Sequence, residues 1–182
     1  MVIENCGAIS ISAGSRPSSA ARAFSVLMRS SSSGHGRQPE SQPVARRAAR
    51  LATGWLSGWR PWPELEERIR TLKARAAELG RDPAEIEIAP QFSMTIARTA
   101  EEAERRYMES GLVAHRKSLS YTGRDLTKQV VANLVGSPDL ILEKIDGLRK
   151  IGVDHACALM IPADSMAEFE DQVEWFAKIA LS

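Results

Sequence analysis

Near its end the chain reads "IGVDHACALMIP" (residues 151–162), placing Asp154, His155 and Cys157 close together in a run with little other charge. On a strand, His155 and Cys157 would share one face. A thiolate beside an imidazole is a nucleophile with its base, and the same two groups can begin a metal site. Two ligands fall short of a metal set, His115 has no sequence link to them, and alternate strand residues seldom meet side chain to side chain. The expectation is therefore packing: His155 structural, Cys157 inaccessible, and Asp154 marking the start of a strand. Trp55, Trp59 and Trp62 form a second group. They can wall a flat ligand or simply bury apolar area. Arg116, Lys117 and Arg124 form a third, in a polar stretch that can meet an anion or stay solvated.

The elements that must hold these groups can be read from periodicity. "PVARRAARLA" puts Val44, Ala48, Leu51 and Ala52 at helical spacing, with Arg46, Arg47 and Arg50 opposite. "TGWLSGW" is short and apolar enough for a buried strand. In "PWPELEERIRTLKARAAELGRDP", Leu65, Ile69, Leu72, Ala76 and Leu79 form a stripe, Pro63 suits a first helical turn and Gly80 a C-terminal cap. "IEIAPQFSMTIAR" alternates, with Ile86, Ile88, Phe92, Met94 and Ile96 on one parity and Glu87, Gln91, Ser93 and Thr95 on the other. Thr99 and Glu102 form a capping box for "EEAERRYMESG", and Ser165 with Glu168 form another before the last helix, lined by Phe169, Val173, Phe176 and Ile179. Between them, "LVAHRKSLSYTGRDLTKQ" reads as a long loop leading into a helix, "TKQVVANLV". Ser137 and Pro138 open a helix whose stripe is Leu140, Ile141, Ile145 and Leu148. Three strands are expected, near residues 53–57, 86–97 and 153–161, the last two pairing in parallel through helical crossovers. Helices alternating with short apolar strands predict an α/β fold.

Composition narrows the classes. The 182 residues carry 43% hydrophobic and 26% charged side chains with a formal net charge of +1, which fits a globular chain and offers no broad attraction to nucleic acid or to an anionic membrane. No apolar run reaches membrane-spanning length. Cys6 and Cys157 stand far apart and form no Cys-x-x-Cys pair, so a reducing cytoplasm is the expected setting. Residues 1–37 are expected to be a poorly ordered leader, because from Ser10 to Gly36 the chain is rich in Ser, Ala, Gly and Arg and lacks acids. That composition also admits an organellar transit peptide, although Glu4 does not favour one. Residues 38–182 are expected to form the folded part.

The segments "RRAARLATGW", "AAELGRDPAEIEI", "ARTAEEAER", "VGSPDLILEKIDGLRKIGVDH" and "FEDQVEWFAKIAL" together resemble the C-terminal part of the luciferase-like monooxygenase family. The resemblance implies a (β/α)8 TIM barrel, an oxidoreductase or monooxygenase activity using FMN or a deazaflavin, and a small-molecule substrate. Family members usually show Ala-Asp-Gly-Trp where this chain has Ala52-Thr53-Gly54-Trp55. A barrel of this kind takes about 250 residues and eight strand–helix units. The expectation is therefore a partial barrel, from a truncated or misframed gene. It is either a piece of an enzyme or an inactive remnant that pairs with itself or with a complementing barrel half. The family's phosphate-holding serine at a helix N-terminus aligns with Ser41, followed by Gln42. A second register uses Gly34 and His35, and capping preferences favour Ser41 as a plain N-cap over a phosphate site. The resemblance assigns no catalytic residue.

Overall fold

In the computed structural model, residues 42–119 and 126–180 can be described. The elements run α1 (Gln42–Leu51), β1 (Gly54–Trp55), α2 (Trp62–Glu78), β2 (Glu87–Ile88), β3 (Gln91–Ile96), α3 (Ala100–Glu109) and α4 (Gly111–Ser118). After these come α5 (Gln129–Ala132), β4 (Leu134–Gly136), α6 (Pro138–Lys150), β5 (Cys157–Met160) and α7 (Met166–Ala180). The fold is mixed α/β, with every strand pairing parallel.

The alternating stretch at 86–97 is the central stave. Pro90 divides it into β2 and β3, and the break is tolerated because only the Pro90 carbonyl is needed there, accepting from Cys157 N at 3.1 Å. On one side β2 pairs with β1, and Glu87, Ala89 and Gln91 donate in turn to the carbonyls of Thr53, Trp55 and Ser57. Farther along that side β3 pairs with β4, matching Met94 to Leu134 and Ile96 to Gly136. On the other side β3 pairs with β5, where Gln91 matches Cys157 and Ser93 matches Met160, leaving one extra residue on β5.

Side chains complete the ladder where strands fall short. Asn133 Oδ1 accepts from Ser93 N at 2.7 Å, between the end of β1 and the start of β4. Asp154 Oδ2 accepts from Ile88 N at 2.8 Å, ahead of β5. Beyond β5, the buried amide of Gln172 on α7 takes both main-chain groups of Ile96, at 2.7 and 2.9 Å. A buried peptide group left without a partner costs about 1–3 kcal/mol, which is why polar side chains stand at these positions.

The main core lies where the parity of β2–β3 predicts it. Ile86, Ile88, Phe92, Met94 and Ile96 pack with Leu65, Ile69, Leu72 and Ala76 of α2, Ile141 and Leu148 of α6, and Phe176 of α7. Helix ends follow their sequence signals. Thr99 Oγ1 accepts from Glu102 N, Ser137 Oγ from Leu140 N, and Ser165 Oγ from Glu168 N, while Gly80 adopts a φ of 74° after α2. In the last of these caps the Glu168 carboxylate reaches Asp164 N and pairs with Arg106. Both partners hold its pKa below the usual carboxylate value, the Asp164 amide more strongly.

Several expectations need correction. The first part of the polar stretch, Gly111–Ser118, is helical, because Ser110 caps it by accepting from Val113 N and because His115, Arg116 and Lys117 suit a helix C-terminus. The run "TKQVVANLV" is a four-residue helix followed by strand β4, since Asn133 turns extended and frees Leu134 to pair with Met94. β5 begins at Cys157 and not at Val153, because the Asp154 side chain takes the place of a ladder contact. Cys157 is partly exposed, where full burial was expected. Leu51 and Leu79 are 67% and 51% exposed, so the stripes of α1 and α2 stop short of them and Ala49 is buried instead. Phe169, Val173 and Ile179 are half-buried, whereas Gln172 is buried.

Candidate functional site

The second parity of β3 carries the chemistry. Ser93 and Thr95 are buried on it although both are polar, and the residues gathered over Ser93 form a connected cluster. Arg116 of α4 donates to Ser93 Oγ at 2.8 Å, to Tyr107 Oη at 2.6 Å and to Gln129 Oε1 at 3.1 Å. Its guanidinium also lies 5.4 Å from the ring centroid of Trp59, within cation–π range. Asn133 Nδ2 donates to the Gln129 carbonyl at 2.7 Å, and its Oδ1 accepts from Ser93 N. Five elements or their edges thus converge: the loop after β1, β3, α3, α4 and the α5–β4 junction.

Local sequence explains each placement. Tyr107 falls one turn after Ala103 on the inward side of α3, and Val113 on α4 packs with both. Arg116 is three residues beyond Val113, so burying Val113 turns the guanidinium toward Tyr107. Lys144 of α6 fixes the opposite end. Its ammonium donates to the carbonyls of Val130, Asn133 and Val135 at 3.0, 2.9 and 2.8 Å, holding the junction that presents Gln129 and Asn133.

Burial sets the electrostatics. It pushes the Tyr107 phenol above its ordinary value, with the Arg116 charge opposing, so the phenol stays neutral and serves as a hydrogen-bonding group. It also lowers Lys144 to about 8, with Glu104 opposing. The cluster is thus a fixed cation beside a neutral phenol, two amides and an indole face. Such a group positions and polarises; with Tyr107 fully buried it is not arranged for proton exchange with solvent.

The residues singled out from sequence are distributed differently. Ser41, Gly34, His35 and Arg124 lie outside the described residues, and Gln42 is the first residue of α1. Of the three aromatics, Trp55 packs in the main core, Trp59 lies under Arg116 and Trp62 lies over Gly147, so they form no common wall. Lys117 is exposed. His155 stands before β5, its Nε2 3.8 Å from the Glu87 carboxylate, and Asp154 is spent on Ile88 N. The signal that could have found the cluster is the buried polar parity of Ser93 and Thr95. Tyr107, Gln129 and Asn133 carry no local motif.

Among the described residues no group of three or more His, Cys, Asp or Glu side chains could hold a metal, and no helix is long and apolar enough to cross a membrane. The cluster does not fit a flavin by itself. Its donors are turned on one another, and of the candidate phosphate residues only Gln42 lies within the described part.

A sequence model of the luciferase-like monooxygenases matches residues 40–155. No curated protein sequence matches the chain. Among solved structures, a monooxygenase from Streptomyces bottropensis superposes with a TM-score of 0.61 at 22% identity, over 79% of this chain and 45% of that one. An F420-dependent secondary alcohol dehydrogenase gives 0.56 at 14% identity, over 74% and 44%. The oxygenating constituent of 3,6-diketocamphane monooxygenase of Pseudomonas putida, a type II Baeyer–Villiger monooxygenase in complex with FMN, gives 0.53 at 23%, over 75% and 44%. The chain spans less than half the length of each of these structures.

Proposed function

The chain belongs to the luciferase-like monooxygenase family, and from that premise we propose that it forms the C-terminal strand–helix units of a flavin- or deazaflavin-dependent oxidoreductase built on a (β/α)8 barrel. One observation carries the reading: β3 is apolar on the parity that faces α2, α6 and α7, and polar on the parity bearing Ser93, Thr95 and the Arg116 cluster. A barrel stave needs this division, with one parity packed on the outer helices and the other turned to the interior. In this reading the family's unit is residues 38–182, with residues 1–37 a leader before it.

In such an enzyme the flavin supplies hydride or oxygen chemistry, and the protein supplies position and electrostatics for a small organic substrate. This chain's share is a polar wall: Arg116 and Trp59 make a rigid charged face, and Tyr107, Gln129 and Asn133 hold it in place. Phosphate contact by Ser41 and Gln42, or by Gly34 and His35, belongs to the same proposal. The remaining strand–helix units complete the pocket, in this chain's own extension or in a partner, and the chain alone is inactive.

Fluorescence titration tests the reading. The chain alone is expected to bind neither FMN nor F420 tightly and to purify colourless. Joined to the N-terminal strand–helix units of an intact relative, it is expected to take up one flavin or deazaflavin per chain. A folded, monodisperse fusion that binds neither cofactor would sink the proposal, and a yellow isolated chain would overturn its claim of incompleteness.

A further inference from the structure

The formal net charge of +1 hides a segregation between two helices. α1 carries Arg46, Arg47 and Arg50 and no acid, and all three are exposed because Ala48 and Ala49 turn the other side of the helix into the core. α7 carries Glu168, Glu170, Asp171 and Glu174 against the single base Lys178. Glu168 is taken up by Arg106 and Asp164 N, and Lys178 stands 3.5 Å from Glu174. Among the described residues Arg47, Arg50, Glu170 and Asp171 make no ion pair. The two helices share one spacing: Arg46, Arg47, Arg50 and Leu51 repeat the intervals of Glu170, Asp171, Glu174 and Trp175. Leu51 is 67% exposed, and Trp175 borders a groove of about 490 Å³ between α7 and Arg106 of α3, with Asp171 and Glu174 on its walls.

We propose that α1 of a second copy of this chain docks along this side of α7, with Leu51 entering the groove against Trp175 and the arginines facing the acids. The matched spacing lets the two helices run side by side with each base opposite an acid. Complementary charge of this kind fixes partner and register more than it adds affinity. α1 packs on α2 beside β1, and α7 packs on α6 on the β5 side, so the two faces belong to opposite edges of the sheet and pairing them takes two molecules. Because the faces differ, a two-fold pair that makes both contacts at once closes the assembly. A helix against a groove buries little surface, so the association is weak and salt-sensitive. The proposal rests on these two surfaces and stands apart from the flavin reading.

Sedimentation equilibrium of the full-length chain under reducing conditions, over a wide range of concentration at low salt, is the test. The average mass is expected to rise from one chain toward two, and added salt is expected to bring it back. Two charge-reversed variants, Arg47→Glu with Arg50→Glu and Asp171→Arg with Glu174→Arg, change exposed residues only, and each is expected to stay a single chain. Mixed in equal amounts they are expected to associate again, since each then meets the opposite charge at both contacts. The milder pair Arg47→Gln with Arg50→Gln is expected to weaken association about tenfold, as the loss of two surface charge contacts does, and it replaces a reversal that unfolds the chain. A single chain at every concentration overturns the proposal. So does association unchanged by the reversals or by the milder pair, or a lack of rescue when two folded reversals are mixed.

Discussion

The two parities of β3 are made of neighbouring residues and stabilised in opposite ways. Phe92, Met94 and Ile96 point into a continuous apolar layer, where burial needs no particular partner atom. Ser93 and Thr95 point the other way, into a region held by directed hydrogen bonds from Arg116 and Asn133. The first side tolerates exchange of one apolar group for another; the second depends on a few atoms being where they are. Stability is thus concentrated on one face of the strand and chemical character on the other.

The largest test of that division is Phe92→Ala. Truncating a fully buried phenylalanine is expected to cost about 3–5 kcal/mol in urea unfolding; a loss under about 1 kcal/mol would show that the apolar layer does not carry the fold. Arg116→Met comes next, at about 1–3 kcal/mol, because it strips the charged donor from Ser93, Tyr107 and Gln129. The same variant is expected to raise the Tyr107 phenol further, since the opposing positive charge is gone. Ultraviolet titration of the tyrosinates reads this directly, and an unchanged profile would place Arg116 elsewhere.

The pH dependence of stability isolates Lys144. Its folded value of about 8 lies below its ordinary 10.5, so between those values the unfolded chain holds more protons than the folded one, and stability rises with pH. Tyr107 acts in the opposite sense from about pH 10 upward, because its folded value is raised. The rise is therefore cleanest between about pH 8 and 10, at no more than about 1.4 kcal/mol per pH unit. Lys144→Met should flatten it; a rise of equal slope in that variant would assign the proton to another group. The smallest effect is expected from Thr95→Val. The Thr95 hydroxyl is buried without a hydrogen-bond partner among the described residues, so its replacement by a methyl is expected to be neutral or stabilising by up to about 1 kcal/mol. A loss above 1 kcal/mol in thermal melts would reveal a partner for it.

These contrasts also explain what could be read in advance. The core was legible because parity is a local property: Ile86 to Ile96 alternate in the sequence as they do in the sheet. The caps at Thr99, Ser137 and Ser165 were legible for the same reason, each being closed within three residues. β4 was not, because Leu134–Gly136 continues the apolar texture of α5 and becomes a strand only by meeting Met94. The polar cluster is the least legible, since in sequence Arg116 is only a cation in a polar stretch while its partners Tyr107, Gln129 and Ser93 sit 9, 13 and 23 residues away on other elements. No spacing rule joins residues whose only relation is that the fold brings them together.

The side chains that complete the central ladder have a consequence for motion. Ser93 N and Ile96 N are tied by Asn133 and Gln172, 40 and 76 residues distant in sequence. Their hydrogen exchange with deuterated solvent is therefore not gated by separation of strands. The amide of Ser93 opens when the α5–β4 junction withdraws, and that of Ile96 when α7 lifts. Two positions three residues apart on one strand thus act as separate timers for two distant parts of the molecule.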